Sequence, residues 1–152
     1  MADLTISIKK SDVYEEVAKT TAYIGAKNKL EDGKSAFDQV FVTDADLAMI
    51  ERFYNESVDI LMNLLKRFVA ELNSENGNIN WKLSMSDRFD SNLVTSITRS
   101  ATSFLVNSII GKWCEITAPD KVKEYADNAA ALLTDIKDKV FHKSAPSRVK
   151  PT

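Results

Sequence analysis

Residues 91–111 read SNLVTSITRSATSFLVNSIIG and carry one charged side chain, Arg99. Charged residues make up 28% of the whole chain, so this stretch is strongly depleted in charge. Its apolar residues recur every three or four positions, which predicts a helix over about 90–116. The predicted inward positions are Leu93, Ile97, Ala101, Leu105, Ile109, Trp113 and Ile116. Such a helix either lies at the centre of its own bundle or forms an interface with another subunit.

A further helix follows directly. Thr117-Ala118-Pro119-Asp120 predicts its start, with Thr117 as the cap and proline in the first turn, and the apolar periodicity continues to about Phe141. Ala126 and Ala129–Ala131 make this helix thin. A thin helix allows close approach, more often within one chain than between chains.

Two helices are predicted before the low-charge stretch. Ser11 is the expected cap of the first, over about 12–28. The second is long, over 44–73, with Thr43 or Asp44 as its cap. Within it, residues 60–65 (ILMNLL) are apolar on nearly every side. A helix of that kind is covered by several neighbours or by another subunit.

Two short strands are predicted from alternation. Leu4–Ile8 alternates apolar and polar residues, and so does Ile79–Leu83, which follows the turn sequence Asn76-Gly77-Asn78. The second strand pairs either with the first or with Phe37–Val42 (FDQVFV), which is itself ambiguous between a strand and a helical turn.

The sequence therefore predicts a mainly α protein. Residues 1–141 form a four-helix bundle-like domain with a small β appendage, and residues 142–152 (HKSAPSRVKPT) form an extended basic tail. Lys143, Arg148 and Lys150 give the tail three positive charges and it contains no acid. It is either a solvated end or a segment that becomes ordered on docking into a partner.

Residue chemistry argues against most enzyme and metal classes. The four glycines are isolated, so no phosphate loop is present, and one cysteine (Cys114) with one histidine (His142) leaves no zinc cluster. Asp44, Asp46 and Glu51 resemble a cation site, but acids at a helix start are the simpler interpretation. We expect no metal, no cofactor and no enzymatic activity. Carboxylate catalysis by Asp44, Asp46, Glu51 and Asp87 is kept as a rival hypothesis.

Charge and hydropathy limit the partners. A net charge of −2 makes nucleic-acid contact accessory at most, through the basic tail. The sequence contains no run of about 20 apolar residues, so no membrane partner is expected.

The order of segments resembles small helical neck proteins of tailed bacteriophages, of the head–tail connector or adaptor type. The resemblance is carried by LTISIKKSDVYEEVAKTTAYIG (residues 4–25), DLAMIERFYNESVDIL (46–61), WKLSMSDRFDSNLVTSI (81–97), KWCEIT (112–117), PDKVKEYADNAAALLTDIKDKV (119–140) and SAPSRVKP (144–151). It implies a ring of subunits between portal and tail, without catalysis, found in the virion and in the host cytoplasm during assembly.

The functional hypothesis is thus a structural subunit that contacts copies of itself and other virion proteins such as portal or tail components. The alternative is a cytosolic helical protein–protein interaction module, an adaptor or regulator. The predicted partner-binding residues are Trp81, Leu83, Phe104, Leu105, Trp113, Arg148, Val149 and Lys150.

Overall fold

A computed structural model describes residues 2–27, 46–73 and 75–143. These residues form a mainly α fold with a small antiparallel sheet, which confirms the predicted class. The elements, in chain order, are β1 (Ala2–Ile8), α1 (Lys10–Lys27), α2 (Leu47–Leu65), β2 (Val69–Asn73), β3 (Ile79–Met85), α3 (Val94–Thr117) and α4 (Val122–Phe141).

The three strands lie in the order β1-β3-β2, and both neighbours of β3 run antiparallel to it. Both predicted strands are therefore confirmed, and they pair with each other in the first of the two predicted ways. The pairs Leu4–Leu83, Ile6–Trp81 and Ile8–Ile79 all point into the core, while the intervening residues of β1 are exposed. The sheet is consequently one wall of the core, because a whole face of β1 and β3 is buried. The alternative partner, Phe37–Val42, lies outside the described residues.

The predicted long helix over 44–73 is wrong at its C-terminal end. Helix α2 stops at Leu65, a turn follows, and Val69–Asn73 becomes the edge strand β2. Phe68 and Leu72 keep the helical spacing, but pairing with β3 satisfies the backbone groups of this segment instead. Leu72 is 57% exposed because it lies on β2, a short strand at the edge of the sheet. The cap predicted at Thr43 or Asp44 lies outside the described residues.

Two predicted caps are also wrong. Helix α1 begins at Lys10, so Ser11 lies inside the first turn, and the side chain of Asn78 accepts the Lys10 backbone N–H at 2.9 Å. Sequence could not show this cap, because its donor and acceptor are 68 residues apart. Thr117 is the last residue of α3, and its hydroxyl donates to the Trp113 carbonyl at 3.1 Å.

A short 3-10 turn, Pro119–Lys121, then leads into α4 at Val122. The α-helix therefore begins three residues after Pro119, and the turn that starts at Pro119 is 3-10 rather than α.

Helix α3 lies at the centre of the molecule and packs against α1, α2, α4 and β1. Ile97, Ala101, Leu105 and Ile109 are fully buried. The prediction that Ile116 faces inward is wrong, because this residue near the end of α3 is 59% exposed. Most of the charge-depleted helix is thus covered by its own chain. This is the first of the two predicted alternatives, a helix at the centre of its own bundle. The buried face of α3 carries no charge because a charged side chain there would lose its hydration, while Thr95, Arg99 and Ser103 lie on the exposed face.

Candidate protein-binding groove

Five of the predicted partner-binding residues lie inside the hydrophobic core. Their exposed fractions are 1% for Trp81, 0% for Leu83, 2% for Phe104, 0% for Leu105 and 7% for Trp113. In this conformation they contact residues of the same chain, with only Phe104 also reaching the floor of a surface groove. Sequence periodicity shows which face of an element is apolar, but not which chain covers it. The other three predicted residues, Arg148, Val149 and Lys150, lie outside the described residues.

An apolar surface lies uncovered between α2, α3 and α4. It is an open groove of about 280 Å³, with α3 as its floor, α4 as one wall and Ile60 of α2 on the opposite side. The lining residues are Ile60, Phe104, Asn107, Ser108, Gly111, Lys112, Glu115, Val122, Ala126, Ala129, Ala130 and Leu133. We call this surface the α2–α4 groove.

The groove exists because α3 and α4 pack closely through small side chains. A Cβ placed on Gly111 would lie 3.5 Å from the Tyr125 Cβ and 3.7 Å from the Ala126 backbone nitrogen. Beyond this contact α4 presents alanines, and Ala126 and Ala130 are exposed. The prediction of a thin fourth helix that approaches a neighbour within the chain agrees with this packing. Alanines are too short to fill the space beside α3, which leaves a depression.

A buried polar pair fixes the depth of the groove on its α2 side. The Ser57 hydroxyl of α2 donates to the Ser108 hydroxyl of α3 at 2.8 Å, and Ser57 is fully buried. Two residues that are short and mutually satisfied bring the helices together without an unpaired polar group. Ile60, one turn further along α2, is 41% exposed and forms the edge of the groove.

The rim of the groove carries one neutralised charge cluster and one further acid, Glu115. Lys112 lies 3.0 Å from Glu56, which is also 3.2 Å from Arg52. Hydrogen bonds from Lys112, and then from Arg52, hold the pKa of Glu56 below its ordinary value. Glu115, by contrast, has no ion pair among the described residues.

A second polar cluster joins α3 to α4 away from the groove. Asp135 accepts from the Ser100 hydroxyl at 2.7 Å and binds the Lys139 ammonium, which also lies 3.1 Å from Ser100. The Lys139 side chain therefore contacts both partners of the Ser100–Asp135 hydrogen bond. This cluster ties two helices together.

The acids considered for a cation site do not converge in the described part of the chain. Across residues 2–27, 46–73 and 75–143, no three His, Cys, Asp or Glu side chains form a metal-binding group. Glu51 accepts from Lys10 Nζ at 2.8 Å, Asp46 precedes α2, and Asp44 lies outside the described residues.

The lone cysteine and histidine have ordinary structural positions. Cys114 is fully buried, and burial raises the pKa of its thiol to about 11. His142 follows the last residue of α4, and its backbone N–H donates to the Lys139 carbonyl at 3.2 Å. The buried thiol predicted from the sequence is confirmed.

Sequence reasoning did not single out Ile60, Lys112 or Glu115 as surface residues of a groove. A partial signal was available in residues 60–65, whose apolar side chains face more directions than one neighbouring helix can cover. That pattern suggested either several neighbours or another subunit. The structure buries Leu61 and Leu65 and leaves Ile60 at the surface.

Comparisons with protein-family models, curated proteins and solved structures find no match to this chain. Among the described helices, we find no segment whose length and hydropathy would let it span a lipid bilayer.

Proposed function

We propose that this chain is a non-enzymatic structural subunit that assembles with copies of itself, within the neck of a tailed phage or prophage particle. The observation that carries the proposal is the α2–α4 groove. It is an open apolar depression beside the hydrophobic core, and depressions of this kind are typical docking surfaces for protein partners.

The phage setting depends on the sequence resemblance. The order of strand, helices and basic tail in this chain resembles head–tail connector proteins, whose role is to join copies into a ring and to contact portal or tail components. A groove that can bind a segment of another chain supports a role in assembly. In this proposal the protein resides in the virion and passes through the host cytoplasm during assembly.

Peptide mass spectrometry on gradient-purified particles from an induced source culture tests the setting. We expect repeated detection of this chain at copy numbers comparable with portal-sized components. Absence from well-formed particles, with the protein abundant in the soluble fraction, would reject the virion setting and leave the cytosolic interaction module.

The assembly state is tested separately. Light scattering coupled to size-exclusion chromatography, over a hundredfold range of protein concentration, should show defined oligomers larger than a dimer. A stable dimer would favour the adaptor or regulator instead, because small isologous dimers are the commonest state of such modules.

A further inference from the structure

We propose that the α2–α4 groove is the docking site for the C-terminal segment, residues 144–152, of a second copy of this chain. The inference rests on the proposed self-assembly and adds the two surfaces that carry it. It makes the contact head-to-tail, since the tail of one copy binds the groove of the next.

The chemistry of the segment matches the shape of the groove. The sequence SAPSRVKPT has one large apolar side chain, Val149, placed between Pro146 and Pro151. Prolines favour an extended polyproline II conformation, so less conformational entropy is lost when the segment is bound. The groove offers alanines and Val122 on one wall and Ile60 on the other, which is a fitting surface for a single aliphatic anchor.

Charge complementarity supports the same pairing. Arg148 and Lys150 flank Val149, and the segment contains no acid. Glu115 lines the groove, while Asp59 precedes Ile60 and Asp127 follows Ala126 on the exposed surface. Lys121 and Lys123 flank the lining residue Val122, so the acids next to the groove outnumber these lysines by three to two. The positive Lys112 on the rim is already neutralised by Glu56.

None of these three acids has an ion pair among the described residues. A bound segment would place two cations on either side of its apolar anchor, next to carboxylates that have no other partner there. Opposite charges at the rim of an interface set its orientation and speed association.

Geometry favours docking onto a second copy over docking onto the same chain. From Leu133, at one end of the groove, α4 continues to Phe141 and rises about 12 Å away from the groove. The backbone then continues through Lys143, which pairs with Phe89. Six steps separate Lys143 from Val149, and they cover about 19 Å when fully extended. To return Val149 to the groove of its own chain, the segment would have to reverse direction directly after Lys143 and use nearly all of that length, whereas docking onto a second copy needs no reversal.

A head-to-tail contact has a consequence for assembly. Because the two surfaces differ, each copy keeps one free tail and one free groove until the assembly closes. Repetition of the contact therefore gives a ring where the rotation closes and a filament where it does not.

Mixing of two full-length variants tests the proposal directly. Ala126→Trp fills the groove but keeps the tail, and Val149→Asp disables the tail but keeps the groove. Each variant alone should be monomeric at concentrations where the wild type assembles. An equimolar mixture should form a one-to-one complex, with at least tenfold tighter association than either variant with itself, measured by native mass spectrometry.

Matched controls separate docking from misfolding. Ala131 is also exposed on α4 but does not line the groove, so Ala131→Trp should assemble like the wild type. Circular dichroism should show wild-type helix content for every variant. Ala130→Trp, at a second exposed lining position, replaces Ala126→Trp if the latter fails to fold.

Other outcomes would overturn the groove as docking site, the head-to-tail contact or self-assembly itself. Wild-type assembly by Ala126→Trp and Ala130→Trp would overturn the groove as docking site and leave self-assembly intact. Self-assembly of Val149→Asp alone would overturn the head-to-tail contact in favour of groove-to-groove pairing, and two monomeric variants that fail to complement would overturn the tail–groove contact. A wild-type chain that stays monomeric at all concentrations, with a tail that cross-links only within its own chain, would overturn both this inference and the proposed self-assembly.

Discussion

The Ser100 hydroxyl on α3 and the Asp135 carboxylate on α4 are 2.7 Å apart and form a hydrogen bond across the central helix pair. Lys139, one turn along α4 from Asp135, binds both groups. The two helices are thus held by a polar cluster at one end and by the Gly111–Tyr125 approach towards the other. The α2–α4 groove lies beside this helix pair.

Removal of the Ser100 hydroxyl should weaken this tie. We expect Ser100→Ala to lower the free energy of unfolding by about 1 kcal/mol, because Asp135 loses one donor but keeps Lys139 and access to water. Chemical denaturation measures the change. Ser103→Ala, on the exposed side of the same helix, is the control and should change stability by less than about 0.5 kcal/mol. Equal losses in the two variants would contradict the role of the hydrogen bond.

Acid should destabilise the protein through the same cluster. Hydrogen bonds from Lys139, and then from Ser100, hold the pKa of Asp135 below its ordinary value of 3.8. The folded state therefore binds a proton at Asp135 only at lower pH than the unfolded state does. The resulting stability is present above the unfolded pKa and is lost as pH falls through the folded pKa. Urea denaturation between about pH 5 and about pH 2 should show a shallower loss for Asp135→Asn than for wild type. Identical slopes would contradict this assignment.

The hairpin turn should not accept a side chain at Gly77. Its φ is +78°, and a Cβ there would lie 2.8 Å from the Lys10 Cδ. We expect Gly77→Ala to cost about 1 to 2 kcal/mol, since it adds both backbone strain and a shift of Lys10. Asn76 has a φ of 57°, so Asn76→Gly is the matched control and should be close to neutral. Thermal melts of both variants test this, and a neutral Gly77→Ala would disprove the turn geometry.

Leu83 should behave as a core residue and not as a contact for a partner. It is fully buried at the centre of the sheet, so Leu83→Ala should lower the free energy of unfolding by about 2 to 5 kcal/mol. Leu72 lies on the neighbouring strand and is 57% exposed, so Leu72→Ala should cost below about 1 kcal/mol. Denaturation of dilute protein measures both. Weakened assembly of Leu83→Ala at unchanged stability would instead support Leu83 as a partner-binding residue.

Cys114 should report on unfolding. Its side chain is fully buried and burial raises the pKa of the thiol to about 11, so both access and thiolate are lacking at neutral pH. We expect a disulfide reagent such as DTNB to modify native protein at pH 8 at least a hundredfold more slowly than protein unfolded in urea. Rapid labelling under native conditions would show that the end of α3 opens locally.

Local patterns predicted much of the secondary structure. Alternation identified β1 and β3, periodicity identified α1, α3 and α4, and the Asn76-Gly77 sequence identified the turn between two strands. The clearest error, a helix continued to residue 73, arose because Phe68 and Leu72 fit a helical period as well as a strand. The hairpin signal at Asn76-Gly77 required a strand before it as well as after it, and that requirement would have corrected the error.

The sequence by itself determined which residues had to be covered. The apolar stripes of β1, β3 and α3, and the near absence of charge in residues 91–111, specify buried faces, because exposing them or burying charge in them is costly. Only the tertiary structure decided what covers each face. Trp81, Leu83, Leu105 and Trp113 are covered by their own chain, and the space beside the alanines of α4 is left open. That open space depends on how closely α3 and α4 approach at Gly111, a contact between two helices that no local pattern contains.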